Sequence, residues 1–102
     1  MSEISASELK ARLARGDRFI LLDVREPDEF ERCHIPGARL LPLSELPSRI
    51  SELNRTDEII LQCRSGKRSA EALGLLQQAG FARLWNLKGG IIAWLNEIGQ
   101  RP

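Results

Sequence analysis

The sequence has little of several features that mark particular classes of protein. It contains only two cysteines among its 102 residues, whereas an exported domain of this size usually carries more, because disulfides supplement a small core. Its formal net charge is +1, so the overall charge gives no reason to expect binding to nucleic acid or to a membrane surface. These absences favour a protein of the reducing cytoplasm.

Long apolar stretches are missing as well. The clearest ones cover residues 19–22 and 91–95, whereas a helix needs about 20 apolar residues to cross a bilayer. The first twenty residues carry charges throughout and lack the apolar core of a secretion signal. The composition is that of a globular protein, with 42% apolar and 28% charged residues and no repeat or low-complexity segment. We therefore expect one domain over residues 1–102.

What the sequence does contain is an alternation of strand-like and helix-like segments. Apolar, partly β-branched runs predict strands over residues 18–24, 39–41, 58–62 and 83–87. Helical spacing and flanking signals predict helices over residues 6–14, 27–31, 46–53, 67–79 and 90–98. Ser5 and Glu8 are spaced as a capping box, and Gly16 and Gly80 stand where helices end. We therefore expect an α/β fold: a mainly parallel central sheet of about four to five strands with helices on both faces.

The most informative segment begins at Cys63, where the strand over residues 58–62 ends and a polar turn leads into the next helix. In a parallel sheet, ligands bind beyond the carboxyl ends of the strands. A helix N-terminus there offers free N–H groups and the positive end of the helix dipole, which lower the pKa of a thiol and attract an anion. Cys63 is therefore the candidate nucleophile. The alternative is a buried, inert cysteine, the commonest fate of a free thiol.

The rest of this loop supplies the candidate residues for holding an anionic substrate: Arg64, Ser65, Gly66, Lys67, Arg68 and Ser69. Cations at the start of a helix oppose its dipole, so a merely solvated helix end explains Arg64, Lys67 and Arg68 poorly. Gly66 has no side chain to obstruct a cradle of N–H groups. For Ser69, a plain hydroxyl in the first turn of a helix is an equally good interpretation.

Four segments together resemble a known family. They are LDVREP at 22–27 with Phe30, HIPGA at 34–38, CRSGKRS at 63–69, and NLKGGI at 86–91 with Ala93 and Trp94. In this order and combination they make the chain similar to the single-domain rhodaneses, which are sulfurtransferases. Its second half is also similar to the rhodanese domain that ends some adenylyltransferase/sulfurtransferases of molybdopterin and thiamine biosynthesis. The resemblance implies a rhodanese-like form of the α/β fold.

The resemblance also implies a chemistry for Cys63. The thiolate attacks the outer sulfur of an anionic donor such as thiosulfate, sulfite leaves, and the resulting persulfide passes its terminal sulfur to cyanide, a thiol or a protein acceptor. No metal or organic cofactor is needed. The implied partners are the small anionic donor and a protein sulfur donor or acceptor, such as a desulfurase or a sulfur-carrier protein. Nucleic acid and membranes are not expected partners, and the sequence does not indicate an oligomeric state.

Residues outside the loop have roles implied by the same resemblance. Asp23 and Arg25, at the end of the first long strand, brace the active-site region, and a surface-exposed strand end is the alternative. His34, the only histidine, belongs to a structural turn and has no evident triad partner. Cys33 stands where the family usually has glycine, so it is mildly strained if that position needs a positive φ. We expect an inert packed thiol at Cys33, with a resolving thiol for the persulfide as the alternative.

Two other functions compete with sulfur transfer. Cysteine phosphatases of the same fold need five residues between the cysteine and an arginine. Here Arg68 follows Cys63 after four residues, and the sixth position is Ser69, which argues against a phosphate site. The other competitor is a non-catalytic rhodanese-like binding module, but inactive members usually lack the cysteine that this chain keeps.

Overall fold

The computed structural model describes residues 2–99, which form one five-stranded sheet with surrounding helices. The strands are β1 (Glu3–Ile4), β2 (Ile20–Asp23), β3 (Arg39–Leu40), β4 (Ile59–Gln62) and β5 (Leu84–Leu87). They lie in the order β1-β5-β4-β2-β3, and every neighbouring pair runs parallel. The predicted α/β fold with a parallel sheet is confirmed.

Helices pack on both faces of this sheet, as predicted. They are α1 (Ala6–Arg15), α2 (Pro27–Arg32), α3 (Leu46–Arg49), α4 (Lys67–Gln78) and α5 (Gly90–Glu97). One core cluster joins α3 and α4 to the sheet around Leu61 and Leu73, and a second joins α1 and α5 to it around Leu9 and Ile60. Successive residues of β4 therefore face opposite cores, which explains its continuous apolar run. None of the helices within residues 2–99 is long and apolar enough to span a bilayer.

Local sequence signals fix the two ends of α1. The Ser5 hydroxyl accepts the N–H of Glu8 at 3.1 Å, and the Glu8 carboxylate accepts the N–H of Ser5 at 2.9 Å. At the other end, Gly16 adopts a left-handed conformation with a φ of 74°. A cap of this kind stabilises a helix by about 1 kcal/mol. The predicted capping box and helix end are confirmed.

The edge strand β1 was not predicted. Its two residues are too few to show a period-2 pattern, so the sequence carries no local signal for it. The strand exists because its backbone pairs with β5, where Glu3 lies opposite Asn86 and Ile4 opposite Leu87. Tertiary pairing, rather than local preference, creates this element.

The continuous helix predicted over residues 46–53 is wrong. Only Leu46–Arg49 is α-helical, and the 3-10 turns Leu43–Glu45 and Ile50–Glu52 flank it. Pro47 has no N–H to donate to the carbonyl of Leu43, and that carbonyl accepts the N–H of Leu46 instead, with the shorter 3-10 spacing. The Ser48 hydroxyl also donates to the Glu45 carbonyl at 3.0 Å. These local bonds compete with a regular α-helix.

The sheet order brings the ends of three strands to one edge. Asp23, the last residue of β2, lies opposite Gln62 of β4, directly before Cys63. On the other side of β4, Leu61 lies opposite Asn86 of β5. The loop that begins at Cys63 therefore starts at the centre of the carboxyl edge, between the ends of its two neighbours.

Candidate active site

The sulfur of Cys63 is the centre around which the loop over residues 63–69 closes. The N–H of Gly66 donates to Sγ at 3.1 Å, and the N–H of Ser69 donates to it at 3.3 Å. The hydroxyl of Ser69 lies 3.3 Å from the same atom. Because α4 begins at Lys67, these contacts come from the first turn of the helix and the residue that precedes it, as the sequence predicts.

Two opposing effects set the acidity of this thiol. Cys63 is only 1% exposed, and burial raises the pKa of its thiol because it disfavours the charged form. The Ser69 hydroxyl and the N–H groups of Ser69, Gly66 and Ser65 act in the opposite direction and outweigh burial, so the pKa of Cys63 lies below its ordinary value. The site therefore favours the thiolate, the nucleophilic form of cysteine.

Gly66 makes the tight loop possible through its backbone conformation. Its φ is +109°, a conformation that residues with a side chain rarely adopt. A Cβ at this position would make only ordinary contacts, the nearest at 3.8 Å from the N atom of Gly89 and the carbonyl oxygen of Leu87. The positive φ is therefore a reason for glycine at this position in addition to the unobstructed cradle expected from the sequence.

Ser69 is bound more firmly than a plain first-turn hydroxyl. Its side chain donates to Asn86 Oδ1 at 2.6 Å, and Asn86 Nδ2 donates to the carbonyl of Gly66 at 3.2 Å. Ser69 is fully buried and Asn86 is 4% exposed. Asn86 thus ties both ends of the sulfur-binding turn to β5. Sequence reasoning did not identify it as a site residue, although a buried amide in an apolar strand is a recognisable signal.

The N-terminus of α5 holds the loop from the other side. The N–H of Ile91 donates to the carbonyl of Cys63 at 2.9 Å, and the N–H of Ile92 donates to the carbonyl of Arg64 at 3.1 Å. Gly90 has a φ of +60°, and a Cβ there would collide with both of these carbonyl groups. Gly90 is therefore a second positioning residue that sequence reasoning did not assign to the site.

The three predicted cations of the loop have different surroundings. Arg64 and Lys67 are exposed, and within residues 2–99 their side chains form no ion pair. Arg68 instead forms a bidentate ion pair with Glu29 of α2, with N–O distances of 2.8 and 3.0 Å. Hydrogen bonds from Arg68 lower the pKa of Glu29 to about 2. Two of the three cations are thus free to meet an anion, and the third is already neutralised.

Asp23 and Arg25 form a buried ion pair beside the loop. Arg25 donates to both carboxylate oxygens of Asp23 at 2.7 to 3.1 Å and to the carbonyl of Cys33 at 2.8 Å. Asp23 is 0% and Arg25 5% exposed, so the alternative of a surface-exposed strand end is wrong. The pair connects the end of β2 to the residue that follows α2.

Cys33 and His34 lie outside the sulfur-binding loop. Cys33 has a φ of −170° and a ψ of 134°, an extended conformation that any residue adopts, so the expected strain is absent. It lines a cavity of about 290 Å³ together with Arg64, Glu29 and Ile92. The His34 ring donates through Nδ1 to the carbonyl of Phe30 at 2.8 Å and stacks on the Phe30 ring at 3.9 Å. These contacts fit the structural turn inferred for His34.

Comparison with known proteins finds relatives over nearly the whole chain. Residues 5–97 match the family described as Rhodanese-like domain. A sulfurtransferase of Allochromatium vinosum is 42% identical over 92% of this chain and 88% of its own length. The probable adenylyltransferase/sulfurtransferase MoeZ of Mycobacterium tuberculosis is 39% identical over 95% of this chain, which spans 25% of that protein. A solved human single-domain sulfurtransferase has a TM-score of 0.85 at 31% identity, covering 95% of this chain and 97% of its own.

Proposed function

The chain belongs to the rhodanese-like domain family, and we propose that it transfers sulfane sulfur through a persulfide on Cys63. The resemblance read from the four sequence segments is confirmed, including the likeness to the rhodanese domain of adenylyltransferase/sulfurtransferases. The observation that carries the proposal is the convergence of two N–H groups and one hydroxyl on Cys63 Sγ. A buried structural cysteine has no need of such a set of polar contacts to its sulfur.

The proposed reaction has two half-reactions. The Cys63 thiolate forms a bond to the outer sulfur of thiosulfate, the S–S bond of the donor breaks, and sulfite leaves with the electron pair. Cys63 then carries a persulfide with one negative charge on its terminal sulfur. In the second half-reaction cyanide, a thiol or a protein acceptor bonds to that sulfur, and the Cys63 thiolate is regenerated. No metal or organic cofactor takes part.

The loop supports this reaction through positioned N–H groups. Those of Gly66 and Ser69 stabilise the Cys63 thiolate before attack and when it leaves. In the persulfide, we expect the remaining N–H groups of the loop to stabilise the negative charge on the terminal sulfur in the same way. Because this backbone is anchored by Asn86 and by α5, the donors need little rearrangement between the two states.

The exposed cations favour an anionic sulfur donor. Arg64 and Lys67 are exposed cations of the loop over residues 63–69, and positive charge beside a nucleophile raises the local concentration of anions. We propose thiosulfate as a small donor and a desulfurase or a sulfur-carrier protein as a protein partner, in the cytoplasm. One relative is named adenylyltransferase/sulfurtransferase, which supports sulfur transfer as the reaction, with residues 1–102 acting as one domain.

The length of the loop supports sulfur transfer over phosphate hydrolysis. A phosphatase needs arginine at the sixth position after its cysteine, and here Ser69 occupies that position with its hydroxyl 3.3 Å from Sγ. The preceding Arg68 is held by Glu29. The guanidinium of Arg68 is therefore not available to complete a ring around phosphate.

Thiocyanate formation tests the proposal. With thiosulfate and cyanide, we expect the wild-type protein to release thiocyanate and sulfite, and we expect Cys63→Ala to reduce turnover to the uncatalysed rate. Cys33→Ser is the matched control and should retain full turnover if Cys33 is an inert thiol. Equal turnover by Cys63→Ala would exclude the proposed nucleophile. Hydrolysis of an aryl phosphate without thiocyanate formation would revive the phosphatase alternative.

A further inference from the structure

The ion pair between Glu29 and Arg68 lies at the loop that would receive the sulfur donor, and it affects the charge that a donor meets there. Arg68 belongs to the loop that would receive the donor, yet its guanidinium is already bound to both oxygens of Glu29 at 2.8 and 3.0 Å. The pair is partly shielded from water, with the Arg68 side chain 35% and the Glu29 side chain 25% exposed. Its geometry is that of a strong, planar fork between guanidinium and carboxylate.

Arg68 lies within electrostatic reach of the reacting sulfur. The Glu29 carboxylate raises the pKa of Arg68, and the negative charges of Cys63 and Asp23 act in the same direction. A negative charge placed on the donor beside Cys63 would therefore be attracted by Arg68 and repelled by Glu29. Because the two charges are joined in one ion pair, their effects on that donor largely cancel.

We propose that Glu29 determines the charge selectivity of the Cys63 site. By neutralising Arg68 it lowers the affinity of the loop for donors with two negative charges, such as thiosulfate, and favours donors with one charge or none, such as a thiol persulfide. The inference rests on the proposed function, because it concerns the donor of the same Cys63 reaction. It implies that the donor class of this site is set by α2, an element outside the loop.

Glu29→Gln is a conservative test of this role. In the wild type, Glu29 Oε1 accepts the N–H of Glu26 at 2.9 Å. Glutamine keeps an oxygen that can accept this N–H, so the start of α2 is retained. It removes the negative charge that neutralises Arg68. The matched control is Glu58→Gln, which breaks a similar bidentate pair with Arg12, at 2.7 and 2.8 Å. Glu58 precedes β4, at the opposite edge of the sheet from Cys63.

The experiment compares thiosulfate with methanethiosulfonate, which carries one charge fewer. In both donors the Cys63 thiolate bonds to the outer sulfur, and sulfite or methanesulfinate leaves with the electron pair. In Glu29→Gln we expect kcat/KM to rise about fivefold for thiosulfate and about twofold for methanethiosulfonate. The substitution removes one negative charge from the site, and this change acts on both charges of thiosulfate but on the single charge of methanethiosulfonate. Glu58→Gln should change neither value. Higher salt should reduce the gain.

A second readout does not depend on sulfur transfer. Iodoacetate is an anion and iodoacetamide is neutral, and both alkylate a thiolate. Peptide mass mapping measures the rate of each reaction at Cys63. We expect Glu29→Gln to raise the ratio of the iodoacetate rate to the iodoacetamide rate about two- to fivefold. If neither sulfur donor loads the wild-type protein, the proposed function fails, and this ratio still tests the electrostatic role of Glu29.

Three results would overturn the inference. An unchanged donor preference together with an unchanged alkylation ratio would show that the charge of Glu29 does not reach the site. An equal gain for both sulfur donors would show an effect on the thiolate rather than charge selectivity. A loss of thiosulfate turnover would show that Glu29 holds Arg68 in a productive position.

Discussion

The reactivity of the Cys63 thiol depends on two opposing effects, burial and hydrogen bonding, on its pKa. At 1% exposure, a thiol without partners would stay protonated, because an isolated buried charge is costly. The N–H groups of the loop and the Ser69 hydroxyl outweigh burial and lower the pKa of Cys63. Since burial and the hydrogen bonds to Sγ act in opposite directions, loss of a single contact should change the pKa measurably.

Ser69→Ala removes the hydroxyl beside Cys63 Sγ, together with its hydrogen bond to Asn86, but keeps the N–H of residue 69. We expect the pKa of Cys63 to rise and its alkylation by iodoacetamide at pH 7 to slow about two- to tenfold, the effect of one lost hydrogen bond. The full pH dependence of the alkylation rate is the measurement. Ser44→Ala, at an exposed serine of the 3-10 turn Leu43–Glu45, is the control. A reduced rate with an unshifted pH profile would contradict a role in ionisation.

At the scale of elements, the loop depends on the helices that hold it. The first turn of α5 donates to the carbonyls of Cys63 and Arg64, and Asn86 of β5 accepts the Ser69 hydroxyl. The loop therefore has its conformation imposed from two neighbouring elements. Small changes in α5 or β5 at these contacts should therefore reduce both the free energy of unfolding and the reactivity of Cys63.

Gly90→Ala tests the contact between α5 and the loop. A methyl group at this position would collide with two carbonyl groups of the loop, and the φ of +60° disfavours alanine. We expect a loss of about 1–3 kcal/mol in the free energy of unfolding, measured by denaturant titration, and a slower reaction of Cys63. Gly74→Ala is the control, because its Cβ would meet nothing within 4 Å and it lies inside α4. It should stabilise the protein by about 0.5–1 kcal/mol. Equal effects of the two variants would contradict the specific role of Gly90.

The pair between Glu29 and Arg68 also joins α2 to α4, and it should make stability depend on pH. The pKa of Glu29 is lowered to about 2, against about 4.3 in an unfolded chain. The ionised carboxylate therefore stabilises the fold above the unfolded pKa, and this contribution disappears as the pH falls towards 2. We expect it to be worth about 1–2 kcal/mol, less than the shift alone implies, because the pair is partly solvated.

Denaturant unfolding of wild type and Glu29→Gln at pH 7 and pH 2.5 measures this contribution. The wild type should be the more stable at pH 7, and the difference should shrink at pH 2.5. If the free energies of unfolding of wild type and Glu29→Gln differ by the same amount at both pH values, the ion pair is not the source of the difference.

For the whole molecule, the sequence predicts those structural features that depend on residues close together in the chain. The strands β2, β4 and β5, the capping of α1 by Ser5, and the position of Cys63 at a strand end all have local signals. The contacts that complete the site are not local. Ser69 meets Asn86 across 17 residues of sequence, and Arg68 meets Glu29 across 39. Such pairs depend on sheet order and helix placement, which no single segment encodes.

The parallel sheet explains why these distant residues meet. Its order places β4 between β2 and β5, so the carboxyl ends of these three strands lie together at the edge that carries Cys63. Asp23 and Arg25 stabilise one side, and Asn86 and Gly90 the other. The chemistry of Cys63 therefore belongs to the whole carboxyl edge of the sheet rather than to the loop alone.

Intact mass spectrometry after incubation with thiosulfate tests the central claim most directly. We expect the wild-type protein to gain the mass of one sulfur atom and to lose it on addition of cyanide. Cys33→Ser should gain the same mass, and Cys63→Ala should gain none. Sulfur loading of Cys63→Ala, or a wild-type protein that no sulfur donor loads, would contradict a persulfide on Cys63.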